Sequence, residues 1–179
     1  MKQIPRVLIG DPAFLGVVLA AIEVFDCETY GILIGTKRGN EYVVKHAVSY
    51  QTTRRKKAEV SMCDKRAQML ARNIKGISPY HYIGEFHSHP DGPPRLSDHD
   101  KKDMASRGES LSILVVVERT SKHKEWLYNK EDKSLQGSID SEFFVVLKAY
   151  VFDHVKKKVL KVHLRCPYMD RLNKLKKKK

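Results

Sequence analysis

The chain has 179 residues, with 34 Lys and Arg against 21 Asp and Glu and a formal net charge of +13. That length suits one domain with a sizeable core. The three cysteines, Cys27, Cys63 and Cys166, are odd in number and unpaired in spacing, which excludes a disulfide scaffold and fits a reducing compartment.

Taken along the chain, residues 6–9 predict a short strand. Residues 13–25 follow Pro12 and are apolar nearly all round, which predicts a buried helix. The apolar run 13–22 is too short to span a bilayer, and no signal peptide is evident, so a soluble cytoplasmic protein with no membrane partner is expected. Residues 31–35 and 42–50 read as strands joined by a turn at 37–40. The basic stretch 54–57 reads as a loop. Residues 61–74 suit a helix ended by Gly76, with Met62, Met69, Leu70 and Ile74 as its apolar positions. Residues 80–86 are rich in aromatic and β-branched types and predict a strand.

After a loop, Ser97 offers an N-cap, and a short helix is expected over 100–107, ended by Gly108. Residues 111–117 form a continuous apolar run typical of a central strand. A shorter strand is expected at 125–128, residues 143–152 are another apolar run, and 160–165 alternate as on a half-exposed strand. Residues 1–166 are expected to form one α/β domain, and 167–179 a basic C-terminal tail.

Charge is clustered at Arg54-Arg55-Lys56-Lys57, at Lys156-Lys157-Lys158 and in the tail from Lys174 to Lys179. Such clusters attract acidic partners. No interleaved aromatics mark a base-stacking platform, so a nucleic acid is the weaker candidate.

The most informative stretch is 87–100: His87-Ser88-His89-Pro90, six residues, Ser97, two residues, Asp100. Residues i and i+2 of a strand share a face, so His87 and His89 can converge on one ion at the strand's end. Pro90 stops the strand, because it has no N–H to give a ladder. The helix start beyond the loop brings Asp100 back over them. Two imidazoles and one carboxylate hold a zinc ion with its fourth position open, the hallmark of a catalytic rather than a structural site. Spacing alone does not select the general base: Glu23, Glu28, Glu41 and Glu85 all remain candidates. Ser97 itself reads as the helix cap. No Pro-Cys-x-x-Cys follows a His-x-Glu, which excludes a zinc nucleobase deaminase.

This string resembles the JAMM motif of the MPN, or JAB, zinc metalloproteases, position for position. Upstream, Glu28-Thr29-Tyr30-Gly31-Ile32-Leu33-Ile34-Gly35 is similar to the family's Glu-x-x-Gly-x-Leu-x-Gly strand. The resemblance implies a single MPN domain, a mixed sheet flanked by helices and similar to the cytidine-deaminase fold. It implies one zinc ion per chain on His87, His89 and Asp100. Glu28 becomes the proton carrier, and Ser97 the donor to the oxygen that gains charge. It further implies an isopeptidase acting on a ubiquitin-like protein, a sulfur carrier or their conjugates. Two alternatives remain, a nucleic-acid-associated protein of the RadC type and a non-catalytic MPN scaffold. Segments 51–61 and 101–110 flank the expected site.

Overall fold

The computed structural model describes residues 5–50, 54–56, 59–61, 64–107, 111–169, 171 and 173, with backbone alone for 54–56, 59–61 and 64–68. The elements in order are β1 (Arg6–Ile9), α1 (Asp11–Glu23), β2 (Tyr30–Arg38), β3 (Glu41–Ser49), β4 (Arg54–Lys56) and β5 (Glu59–Ser61). They continue with α2 (Asp64–Ile77), β6 (His81–Pro90), α3 (Asp98–Arg107), β7 (Leu111–Arg119), β8 (Leu127–Asn129), β9 (Ser134–Ile139), β10 (Phe143–Asp153) and β11 (Lys158–Arg165). Among the described residues no helix is long and apolar enough to cross a membrane.

Among the described residues, nine strands make one mixed sheet in the order β11-β1-β3-β2-β6-β7-β10-β9-β8. β11 also pairs with β10, so the sheet closes on itself. The length of β10 allows this: Phe143–Lys148 bond to β9 on one edge, and Ala149–Asp153 bond to β11. β4 and β5 form a small hairpin apart from this sheet.

Strand alternation sorts the side chains into two faces. One face carries Val7, Leu33, Val44, Phe86, Ile113, Val115, Val145, Leu147 and Leu164, packed with α1 through Ala13, Phe14, Val17, Val18 and Ala21. The other face is covered by α2 and α3 in separate patches. Ile74 of α2 packs with Tyr30, Ile32 and Tyr50, while Met104 of α3 packs with Leu96, Leu114, Val116, Val146 and Tyr150.

The α/β class and most strands follow the sequence expectations, and several details differ. α1 is not buried all round, because the sheet covers one side of it and Leu15 and Leu19 stay 40% and 60% exposed. Residues 54–56 form a hairpin strand rather than a loop, since β5 supplies a pairing partner. The second helix begins at Asp64, Ser61 belongs to β5, and Gly76 lies inside the helix. β9 was not expected: its burial depends on tertiary contacts, and a Cβ at Gly137 would lie 2.5 Å from the Trp126 ring.

Beyond Cys166, Met169 is buried in the main core, and the Asn173 amide exchanges hydrogen bonds with the Trp126 backbone at 2.6 and 3.1 Å. Cys63, Lys57, Gly108 and the lysines of 174–179 lie outside the described residues.

Candidate metal centre

β6 runs antiparallel to β2 and parallel to β7, so its end is bonded on both edges. Tyr30 pairs with His87, which stands beside Leu114, and His89 stands beside Val116. His87 and His89 share a face and are both buried. Ser88 points the other way. Its Oγ accepts the Thr29 N–H at 2.8 Å, and its own N–H donates to the Thr29 carbonyl at 3.0 Å. The start of β2 is thereby stitched to the end of β6.

After Pro90 the chain reverses at Asp91, whose φ of 48° is uncommon for a residue with a side chain. It then passes through Gly92, Pro93 and Pro94 and enters α3. Ser97 caps that helix: its Oγ accepts the Asp100 N–H at 3.1 Å. In return the Ser97 N–H and O–H both donate to Asp100 Oδ2, each at 2.7 Å. This reciprocal cap satisfies the helix terminus and aims the carboxylate at β6.

Asp100 Oδ2 lies 3.7 Å from His87 Nε2 and 3.6 Å from His89 Nε2. All three potential ligand atoms fall within 4.8 Å of one another. The two contacts to the imidazoles are too long for hydrogen bonds. They suit donors around one ion, since metal–ligand lengths of about 2.1 Å at tetrahedral angles put ligands roughly 3.4 Å apart. His87 Nε2 is buried with no hydrogen-bond partner among the described residues, a costly state for a polar atom without an occupant. His89 Nδ1 lies 3.2 Å from the Pro93 carbonyl, which leaves Nε2 as the atom facing Asp100. The residues present therefore fit a bound cation.

Electrostatics agree with that fit. Burial works against the Asp100 charge, yet the imidazoles and Ser97 hold its carboxyl far below the ordinary carboxylate range. Burial also disfavours a charged His89. Asp100, the Pro93 carbonyl and the charge of Glu28 outweigh it and raise His89 above its ordinary 6.5.

His87, His89, Ser97 and Asp100 thus converge as the sequence spacing required. Glu28 precedes β2, and continuing the Tyr30–His87 pairing by two residues places it alongside His89. Glu85 is the rival candidate for the base. It is buried, with Oε1 3.9 Å from His87 Nδ1, and Oε2 accepts the Tyr30 hydroxyl. Arg107 at the end of α3 donates to that same tyrosine oxygen at 3.3 Å. Tyr30 and Arg107 were missed in the sequence. Their only signal was the shared face of Glu85 and His87, and nothing local ties Arg107 to either.

Among solved structures, protein DSY2949 of Desulfitobacterium hafniense, determined in solution, superposes with a TM-score of 0.58 at 15% identity. The match covers 89% of this chain and 92% of that one. At such identity the likeness shows the fold alone. No curated protein matches the chain. A family model described as prokaryotic homologs of the JAB domain matches residues 15–129. That stretch contains Glu28, His87, His89, Ser97 and Asp100 and exceeds half of the chain, so the protein belongs to the prokaryotic JAB-domain family.

Proposed function

We propose that this protein is a zinc-dependent isopeptidase of the JAMM type. It cleaves the C-terminal amide of a ubiquitin-like modifier or sulfur carrier from its target or precursor, in the cytoplasm. The observation that carries the reading is the convergence of His87, His89 and Asp100 around a buried, unpartnered imidazole nitrogen. A His₂Asp donor set favours zinc with an open position.

A zinc ion there supplies Lewis acidity and a water acidic enough to lose its proton near neutral pH. Glu28 accepts that proton on its carboxylate and returns it to the leaving amine nitrogen, a shuttle worth about 10²–10⁴ in rate. The charge of Glu28 is felt at His89, as a base beside the metal ligands requires. Ser97 need not choose between its two readings. Its cap uses an oxygen lone pair facing the Asp100 N–H. Its hydroxyl proton is free to turn from Asp100 toward the substrate oxygen that gains charge. The net charge of +13 supports an acidic modifier as partner.

The test is cleavage of a linear fusion carrying a ubiquitin-like domain, with bound metal measured by elemental analysis. About one zinc per chain, cleavage stopped by a chelator and recovery on zinc return are expected. Metal-free protein, or cleavage indifferent to the chelator, would overturn the assignment.

A further inference from the structure

β10 buries a lysine, Lys148, between Leu114 of β7 and Ser134 of β9. Lys148 pairs with Leu114 of β7, and Leu114 pairs with His87 of β6. The three therefore lie in one row across the sheet and point to the same face. Lys148 is only 5% exposed. An ammonium so buried demands partners, and the chemistry at the zinc ligands does not use it.

Its partners lie in two places. Nζ donates to the Pro94 carbonyl oxygen at 2.6 Å and pairs with Asp132 Oδ2 at 2.7 Å. Asp132 sits in the turn between β8 and β9, where the Asn129 side chain accepts its N–H at 3.1 Å. Lys161 of β11 holds the other carboxylate oxygen at 2.6 Å. Burial works against the Asp132 charge, but these two lysines keep its carboxyl below the ordinary range. Asp132 is thus a fixed anion that orients Lys148.

Pro94 lies midway along the loop joining His89 to Ser97. Two consecutive prolines give that loop no N–H donors at 93 and 94, which limits how far it can pin itself. Apart from the Arg95 N–H, which donates to the Pro93 carbonyl at 2.8 Å, external contacts do the pinning. The Pro93 carbonyl faces His89, and the Leu96 side chain is buried with Met104, Val116 and Tyr150. The Leu96 N–H meets the Tyr150 phenol oxygen. Lys148 is the charged member of this set. It grips the carbonyl next to the one that faces His89, three residues before the Ser97 cap.

We propose that Lys148, oriented by Asp132, is a positioning residue: its bond to the Pro94 carbonyl fixes the 93–97 loop so that Ser97 and Asp100 face the two histidines. This rests on the metal-centre reading for its consequence, but the loop tether itself exists without a metal.

The experiment compares Lys148→Met, Asp132→Asn and a control, Leu147→Ala, in the full chain. Leu147 is the fully buried neighbour on the opposite face of β10, so its truncation destabilises the fold without touching the loop. Two readouts are used below the unfolding temperature: amide hydrogen exchange of 96–100, and zinc affinity by chelator competition. Lys148→Met is expected to speed exchange in 96–100 selectively and to weaken zinc binding by about tenfold or more, the scale of losing a residue that orients a ligand. Asp132→Asn, which is partly exposed and leaves the lysine in place, gives a smaller change in the same direction. Leu147→Ala leaves both readouts unchanged. Unaltered exchange in both loop-side variants, or an equal effect of Leu147→Ala, overturns the proposal. If Lys148→Met does not fold, Asp132→Asn decides alone. Should the parent bind no zinc, the isopeptidase reading fails, and the exchange data still judge the tether.

Discussion

The ligands of the candidate centre come from two unlike regions. His87 and His89 sit on a strand bonded along both edges, with Ser88 stitched to Thr29 behind them. Asp100 sits on the first turn of a short helix, reached through a proline-rich loop and held by its cap with Ser97. Backbone ladders position the first two ligands, and a few side-chain contacts position the third. The strand side is held by backbone bonds on both edges, so the geometry of the centre depends more on the loop side. Gly92 illustrates how tightly the two regions meet, since a Cβ there would lie 2.9 Å from the His89 Cβ.

The sharpest way to break this contrast is Asp100→Ala. It removes the third ligand and the partner of Ser97 while sparing the strand. Bound zinc should fall from about one per chain to none, with β6 still protected in hydrogen exchange. Retained zinc would mean that another residue closes the site. Glu28→Gln is expected to keep the metal and slow amide cleavage by about 10²–10⁴, the size of a lost proton carrier. Near-native turnover would direct attention to Glu85.

On the strand side, a Cβ at Gly31 would lie 2.3 Å from the Phe86 ring and 2.5 Å from the Val48 carbonyl. Gly31→Ala should therefore cost about 1–3 kcal/mol in denaturant unfolding, by forcing β2 away from β6. On the loop side, Ser97→Ala should cost about 0.5–2 kcal/mol through the lost cap, with a loss of cleavage larger than the loss of zinc affinity. Equal losses would reduce Ser97 to a cap.

The smallest effect concerns Tyr150, whose burial raises its phenol from 10.0 to about 12. A raised value means that the fold favours the neutral phenol. That contribution is complete below pH 10 and is lost as pH rises from 10 through about 12. Tyr150→Phe lacks this titration, so the stability gap between parent and variant should narrow across that window in alkaline unfolding curves. A gap independent of pH would refute the assignment.

Local chemistry explains what was legible. Strand parity places His87 and His89 on one face, Pro90 ends the strand, and a Ser-x-x-Asp start caps a helix. All are short-range consequences of residue type, and α3 begins one residue after Ser97. The runs at 111–117 and 143–152 announce buried strands because both faces of β7 and β10 are covered. β9 left no comparable mark. Its Ser134 and Ser138 are buried by their neighbours, not by their own hydrophobicity. The 54–56 hairpin was hidden for the same reason, as a basic tripeptide becomes a strand only when a partner bonds to it.

Residue order alone therefore determined the α/β class and the ligand string, because both rest on interactions between residues a few positions apart. The closing of the sheet through β11, the hydrogen-bond chain from Arg107 through the Tyr30 hydroxyl to Glu85, and the reach of Lys148 to Pro94 were decided only by the tertiary structure. The lysine and the carbonyl it grips are 54 residues apart. No local propensity encodes that distance: the pair meets because β7 lays β10 alongside the histidine strand.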